Sequence, residues 1–302
     1  MQSASGDYRK YLDPSIISKL NSLELRARLV VEGFMVGLHK SPYHGFSVEF
    51  TEHRPYMQGD SIKDIDWKVY GKTEKFFIKQ YEEETNLKSY ILLDTSKSMG
   101  YSSEKNISKL EYAITLAAAL SYLMNKQQDA VGLTLYSESI DKYFPPKANR
   151  AYLQEILKAL TSISPANKTN TANSLNSIAE KIKRRGLVVI ISDFFDDINS
   201  ILKALKHFRY QRNEVIVFQI LDPLERNFAF GSDAVFKDME SEDEMTTQPY
   251  QIQKAYRDAI ENFLGKIKSE CLNSKIDYNL IETSMPFDKA LFGYIQKRSK
   301  LI

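Results

Sequence analysis

Residues 89–98, SYILLDTSKS, join a short apolar run to a polar tail that contains Asp94, Ser96 and Ser98. Comparable apolar runs recur after it, with helix-like stretches between them. The predicted strands are 89–93, 130–136, 187–192, 215–221 and 277–281. The predicted helices are 109–127, 150–160, 172–185, 198–209, 252–275 and 287–299. Apolar strands that alternate with helices are typical of a mainly parallel sheet covered on both faces. The sequence therefore predicts a doubly wound, Rossmann-type α/β fold.

The chain before residue 88 has a different pattern. Ile16–Met35 carries apolar residues at helical spacing, which predicts a leading helix. Between residues 37 and 80, glycines and prolines interrupt short segments rich in aromatic residues, which favours a small antiparallel β unit. The predicted β segments are 45–50, 54–56 and 75–79. We therefore expect two domains, the helix and β unit in residues 1–87 and the α/β domain in residues 88–302.

Composition excludes several classes of protein. The 302 residues are 43% apolar and 26% charged, which is ordinary for a soluble globular protein. The 41 basic and 39 acidic residues are too balanced to predict a nucleic-acid or membrane surface. The single cysteine, Cys271, rules out an internal disulfide and a cysteine-based zinc site. No apolar stretch approaches the ~20 residues that span a bilayer, and the N-terminus lacks a secretory signal. We expect a cytoplasmic protein that binds no nucleic acid and does not insert into a membrane.

Polar side chains occur where three predicted elements begin or end. Asp94, Ser96 and Ser98 follow the first buried strand, Thr169 precedes the helix at 172, and Asp193 follows the strand at 187–192. Doubly wound sheets bind ligands at the carboxyl ends of strands, so these residues are expected to converge. Their oxygens suit a hard cation, Mg²⁺ or alternatively Mn²⁺ or Ca²⁺. Because most of these ligands are neutral, the ion would keep positive charge for a carboxylate from a partner.

Helix capping is the alternative role for these side chains. Ser96 and Ser98 would then cap the next helix, and Asp193 would cap the helix at 198–209. A second alternative is a metal-dependent hydrolase that uses Asp193, Asp196 and Asp197 around the same ion. No histidine lies near the three clusters in sequence to act as a general base, which favours a binding role.

The order D-T-S-K-S, T-N-T-A and I-I-S-D resembles the metal-ion-dependent adhesion site of von Willebrand factor A (vWA) domains. The five matching positions are Asp94, Ser96, Ser98, Thr169 and Asp193. This chain departs from the pattern at Phe194, where a glycine often follows the last aspartate. The resemblance implies a vWA-like domain in which a divalent ion holds an acidic residue of another protein.

Three further motifs are similar to the bacterial family called domain of unknown function 58. They are GLHKSPYHGFSVEF from Gly37, RPYMQGDSIKDIDW from Arg54 and DPLER from Asp222. The resemblance spans roughly residues 35 to 295, with departures at Gln58 and at Gly71-Lys72. It implies a non-enzymatic adaptor for a MoxR-type AAA+ ATPase, acting in the assembly, maturation or stress handling of client complexes.

The second of these motifs is expected to have a structural role. Trp67, with Ile62 and Ile65, is predicted to anchor the β unit onto the α/β domain. Arg54 is predicted to pair with one of the motif's aspartates, Asp60 or Asp66. The acidic segment 239–248 is predicted to be an exposed loop.

Overall fold

The computed structural model describes residues 12–39, 54–56, 65, 67–78, 87–103, 106–165, 170–230, 234–237, 244–247 and 249–298. The strands are β1 Arg54–Pro55, β2 Phe77–Ile78, β3 Lys88–Asp94, β4 Ala130–Tyr136, β5 Ile140–Lys147, β6 Leu187–Ser192, β7 Glu214–Leu221, β8 Ala234–Lys237, β9 Glu244–Thr247 and β10 Asp277–Glu282. The helices are α1 Pro14–Ile17, α2 Leu23–His39, α3 Trp67–Thr73, α4 Lys109–Lys126, α5 Arg150–Thr161, α6 Thr171–Lys181, α7 Ile198–Tyr210, α8 Pro223–Asn227, α9 Pro249–Asn273 and α10 Phe287–Arg298.

A six-stranded sheet in the order β10-β7-β6-β3-β4-β5 forms the centre of the α/β part. All its neighbouring strands are parallel except β5, which runs antiparallel to β4. One core lies between the sheet and helices α2, α4, α5 and α10, and a second lies under α6, α7 and α9. This confirms the predicted α/β class with a mainly parallel sheet. The chain runs from β3 to β4 on one side and returns to β6 on the other, so strand order reverses at β3.

The five predicted strands are all present, with bounds that match to within one residue. Every residue of β4 and β6 is buried, as are residues 89–94 of β3 and 215–221 of β7. Helices cover both faces of these strands, so each position faces a core and the sequence is apolar without alternation.

The predicted helix Ile16–Met35 is wrong in its continuity, because the structure divides it into α1 and α2. Asp13 and Pro14 start a short helix, and the hydroxyl of Ser22 accepts a hydrogen bond from the backbone N–H of Leu25 at the start of the next. The guanidinium group of Arg26 spans the break by donating to the carbonyl oxygens of Ser18 and Leu20. Helix α2 buries its apolar face in the same core as α4. The predicted domain boundary near residue 88 stays a prediction.

The small β unit is confirmed for two of its three predicted segments. Strands β1 and β2 pair antiparallel, while segment 45–50 lies outside the described residues. Helix α3 was not predicted. Trp67 is 57% exposed and makes an edge contact with Tyr70, so it is not the buried anchor expected, whereas Ile65 is buried. Asp60, Ile62, Asp66 and the side chain of Arg54 lie outside the described part of the chain.

Several further elements differ from the sequence-based expectation, among them strand β8, which was not predicted. Strand β5 was missed because it is an exposed edge strand with two prolines, a position where proline is tolerated. Strand β9 pairs with β8 and lies within the segment predicted as a loop at 239–248. Helix α6 ends at Lys181, four residues before the predicted end, and the short helix α8 was not predicted. No helix within the described ranges is long and apolar enough to cross a membrane.

Candidate cation site

The structure brings two of the predicted site loops together at the carboxyl edge of the sheet. Asp94 is the last residue of β3, and Asp193 directly follows β6, the parallel neighbour of β3. Leu93 pairs with Ile191, so the two strands end side by side. Both aspartates are buried, and they lie where strand order reverses, the usual ligand position in such sheets.

The carboxylate of Asp94 is held by neutral donors. Its Oδ1 accepts the backbone N–H of Ser96 at 2.9 Å, and its Oδ2 accepts the hydroxyl of Ser192 at 2.6 Å. The hydroxyl oxygens of Ser96 and Ser98 lie 3.1 Å apart. The loop after β3 therefore gathers one carboxylate and two hydroxyls. Ser192 was not among the predicted site residues, although its place directly before Asp193 at the strand end pointed to it.

Burial and repulsion shape the electrostatics of Asp94. Burial raises the pKa of Asp94 to about 7, the nearby charge of Asp193 acts in the same direction, and the hydrogen bonds from Ser192 and Ser96 oppose them. The negative charge of Asp193 at the same sheet edge therefore disfavours the ionised form of Asp94. A bound cation would relieve that repulsion.

The turn after β6 explains the departure at Phe194. This residue has a φ of 58°, in the left-handed region where glycine is the usual occupant. Its N–H donates to the hydroxyl of Ser192 at 2.9 Å, and the N–H of Phe195 donates to Oδ1 of Asp193 at 3.2 Å. The phenylalanine keeps the backbone turn despite its side chain, which is buried in the core under α6 and α7.

The helix-capping alternative is wrong for these side chains. Helix α4 is capped by Ser108, whose hydroxyl accepts the N–H of Glu111 at 3.1 Å. Helix α7 is capped by Asp197, whose carboxylate accepts the N–H of Ser200 at 2.9 Å. Ser98 starts a single 3-10 turn that has no side-chain cap. Neither serine of the β3 loop, nor Asp193, is needed to start a neighbouring helix.

Thr169, the remaining predicted ligand, lies outside the described residues. The chain after it is connected to the site, because the N–H of Thr171 donates to Oδ2 of Asp196 at 3.0 Å. The start of α6 is thereby attached to the loop that follows Asp193.

Lys109, at the start of α4, is the functional candidate that sequence analysis missed. Its side chain is fully buried, and its Nζ lies 2.8 Å from Oδ2 of Asp193 and 2.5 Å from Oε1 of Glu225. The ring of Phe195 lies 5.1 Å from the same nitrogen. Burial lowers the pKa of Lys109, but the charges of Asp193 and Glu225 outweigh it and hold that pKa above its ordinary value. Lys109 is therefore a buried ammonium ion shared by two carboxylates.

The motif that begins at Asp222 supplies the second partner of Lys109. The carboxylate of Asp222 accepts the N–H of Leu224, and Glu225 accepts the N–H of Asp222, both at 2.8 Å, in a capping box. Oδ2 of Asp222 also accepts the N–H and the hydroxyl of Ser103, at 3.0 and 2.9 Å. The loop after β7 is thus attached to the chain segment that follows Ser98.

The donor types present fit a hard divalent cation. Asp94, Ser96, Ser98 and Asp193 offer carboxylate and hydroxyl oxygens only, the donors that Mg²⁺ prefers. Within the described ranges, no group of three or more His, Cys, Asp or Glu side chains is placed to hold a metal ion. A cation here would depend on hydroxyls and water as well as on the two carboxylates.

The chain matches the family described as "Protein of unknown function DUF58" over residues 52–264. It belongs to this family. Two similar proteins are Uncharacterized protein Mb1516 of Mycobacterium bovis and Uncharacterized protein Rv1480 of Mycobacterium tuberculosis. Each is 26% identical over 234 residues, which cover 76% of this DUF58 chain and 72% of the relative.

Two solved structures are also similar. The conserved hypothetical protein BatB from Bacteroides thetaiotaomicron has 19% identity and a TM-score of 0.47, and the match covers 71% of this chain and 99% of that one. An aerotolerance-related membrane protein from Bacteroides fragilis has the same identity and TM-score, with 70% and 99% covered. Likenesses of this size do not establish a shared activity.

Proposed function

We propose that this DUF58 protein is a non-enzymatic binding module with a vWA-like fold. In this proposal Asp94, Ser96, Ser98, Thr169 and Asp193 hold Mg²⁺, or alternatively Mn²⁺ or Ca²⁺, and the ion binds an acidic residue of a partner. The supporting observation is that the β3 loop and Asp193 meet at the sheet edge where strand order reverses.

The chemistry of the donors supports a binding role. When bound, the ion supplies an electrophilic centre for a carboxylate oxygen. Ser96 and Ser98 contribute no charge, so they leave the positive charge of the ion less neutralised than carboxylates would. Ser192 and the backbone N–H of Ser96 fix the orientation of Asp94 before any cation arrives.

The partner in this proposal is a MoxR-type AAA+ ATPase in the cytoplasm, for which the chain acts as an adaptor in complex assembly or maturation. The support for this step is the family resemblance carried by the motifs from Gly37, Arg54 and Asp222.

The hydrolase alternative has less support from the contacts. Both carboxyl oxygens of Asp196 accept backbone N–H groups, from Thr171 at 3.0 Å and Asp197 at 2.7 Å, and Asp197 caps α7. Neither side chain is placed as a general base. Turnover of phosphatase, nuclease or peptidase substrates with Mn²⁺ tests this directly. Sustained turnover that Asp94→Ala abolishes would contradict the non-enzymatic role.

Titration calorimetry with MgCl₂ and MnCl₂ tests the cation site. We expect the wild-type protein to bind either ion and Ser96→Ala to weaken binding about tenfold or more. Ser89→Ala is the matched control, because Ser89 is a buried serine near the opposite end of β3 whose hydroxyl has no described partner. Wild-type protein that binds neither ion at millimolar concentrations, or an equal loss in both serine variants, contradicts the site.

The partner step needs a separate experiment with purified components. A MoxR-type ATPase from the same cell is expected to be retained on the immobilised protein with Mg²⁺, and lost with EDTA or in Ser96→Ala. Ser89→Ala should retain it. Retention that is indifferent to EDTA and to Ser96→Ala would mean that the cation site is not the binding surface.

A further inference from the structure

Lys109 is the one buried lysine among the residues that the structure describes. Placing an ammonium group in the protein interior is costly unless its charge is matched. Here two carboxylates match it, at 2.8 Å for Asp193 and 2.5 Å for Glu225. One of those carboxylates belongs to the cation site proposed above, so the lysine and a bound ion would share Asp193.

The charges of this cluster can be counted. Asp193 and Glu225 carry two negative charges and Lys109 one positive charge, so the three side chains together leave one negative charge. Without Lys109 the same cluster would carry two, and a divalent ion would be held more tightly by the protein alone. With Lys109 present, the protein's own side chains neutralise less of the positive charge of the ion.

We propose that Lys109 is a positioning residue that sets the charge of the cation site, by holding Oδ2 of Asp193 and offsetting its charge. The inference rests on the proposed function. It implies that the protein binds a bare divalent ion weakly and leaves positive charge for an acidic group of the partner. Glu225 acts in the opposite sense, because it offsets part of the charge of Lys109.

Lys109 and its partner Glu225 are each held in place by further hydrogen bonds. Lys109 is the first residue of α4, and its backbone N–H donates to the carbonyl of Tyr101 at 3.1 Å. Glu225 is held by the capping box of α8. The chain segment between Ser98 and Lys109 is attached at Ser103 to Asp222. The ammonium group and the β3 loop are therefore parts of one connected structure.

Calorimetric titration of the 302-residue chain with MgCl₂ tests the inference through two variants whose affinities are expected to change in opposite directions. Lys109→Met removes the positive charge and is expected to tighten Mg²⁺ binding about tenfold. Glu225→Gln removes a negative charge with little change of side-chain volume, keeps one of the two acceptor oxygens and is expected to weaken binding severalfold. Lys206→Met is the matched control, because Lys206 pairs with Glu270 on the surface, and its affinity should equal that of the wild type. Circular dichroism in EDTA reports whether each variant is folded.

The outcomes separate this inference from the proposed function. A purely structural role for Lys109 predicts weaker binding in Lys109→Met, so weaker or unchanged binding overturns the inference while wild-type binding keeps the cation site. If Lys109→Met does not fold, Glu225→Gln decides, and unchanged or tighter binding in that variant overturns the inference. Weak binding by the wild type together with tighter binding by Lys109→Met supports the charge-setting role. Absence of binding in both folded proteins overturns the proposed function and the inference with it.

Discussion

Two loops leave the same edge of the sheet and neutralise their carboxylates in different ways. The loop after β7 carries Asp222 and Glu225, and the ammonium group of Lys109 lies 2.5 Å from Glu225. The loop after β3 carries Asp94, whose described hydrogen bonds come from a backbone N–H and a serine hydroxyl. The first loop has a cation supplied by the chain, and the second has neutral donors only.

This difference indicates that the carboxylate of the β7 loop already has a charged partner in the folded protein, whereas that of the β3 loop would be stabilised by a bound cation. The charge of Glu225 is paired with that of Lys109, so that ion pair is a structural connection between α4 and α8. Around Asp94, burial and the charge of Asp193 raise the pKa to about 7, so the ionised form is disfavoured until a cation arrives. Asp193 follows β6, the strand between β7 and β3; it pairs with Lys109, and its charge acts on Asp94.

The largest change in stability is expected when the ammonium group of Lys109 is removed. Lys109→Met should lower the free energy of unfolding in EDTA by about 3–5 kcal/mol, because it leaves Asp193 and Glu225 buried without their partner. Urea denaturation followed by circular dichroism measures this. Lys206→Met, which removes an exposed lysine, should change little. An equal small effect in both variants would mean that the buried ion pair is not a structural connection.

At the β3 loop, removing a charge is expected to raise the free energy of unfolding. Asp94→Asn removes a buried charge, and an amide at this position can still accept from the N–H of Ser96 and donate to the hydroxyl of Ser192. At pH 8 in EDTA we expect the free energy of unfolding to rise by about 2 kcal/mol, with loss of any stabilisation by Mg²⁺. Asp141→Asn is the control, because Asp141 is an exposed carboxylate that also accepts serine and threonine hydroxyls. If Asp94→Asn destabilises the metal-free protein, the contrast between the loops is wrong.

Sequence patterns predicted the β3 loop far better than the β7 loop. The reason is that the residues of the β3 loop are adjacent in sequence, whereas the partners in the β7 loop are not. Asp94, Ser96 and Ser98 follow a buried apolar run directly, so their place at the sheet edge is implied by five consecutive residues. The pairing of Lys109 with Glu225 joins positions 116 residues apart and depends on how α4 meets α8. A single lysine at a helix start has no signature of burial. The DPLER motif drew attention to the β7 loop, but it did not indicate that Lys109 is the partner of Glu225.

The same distinction holds for the fold. Strands buried on both faces were predicted almost to the residue because their apolar character is continuous. Strand β5 escaped because an exposed edge strand with two prolines has little apolar pattern. The break between α1 and α2 depends on Arg26 donating to two carbonyl oxygens, a tertiary arrangement that periodicity does not contain.

A pH series sharpens the contrast further. The pKa of Asp94 is raised above its ordinary 3.8 to about 7, so the folded protein holds this proton more tightly than the unfolded chain. The stabilisation from this proton is full below about pH 4 and is lost as pH rises to 7, by at most about 1.4 kcal/mol per pH unit. Denaturation in EDTA at several pH values measures this slope.

Excess Mg²⁺ should flatten that slope, because the bound ion favours the ionised carboxylate. In Asp94→Asn the slope over this window should be smaller than in the metal-free wild type, and Mg²⁺ should leave the slope of the variant unchanged. A slope that is the same in both proteins would assign the pH dependence to other groups.

The smallest expected effect tests whether the two loops are mechanically joined. Ser103→Ala removes the hydroxyl that donates to Asp222 at 2.9 Å and accepts from the side chain of Asn106 at 2.8 Å, but keeps the backbone donor to Asp222. We expect a loss of about 1 kcal/mol in the free energy of unfolding. Ser15→Ala, at an exposed serine that donates to Asp13, is the control for loss of a surface hydrogen bond. If Asp222 holds the β3 loop in place through Ser103, Mg²⁺ affinity should fall as well, by about twofold. A loss of stability with unchanged Mg²⁺ affinity would show that the two loops share an edge of the sheet without sharing a function.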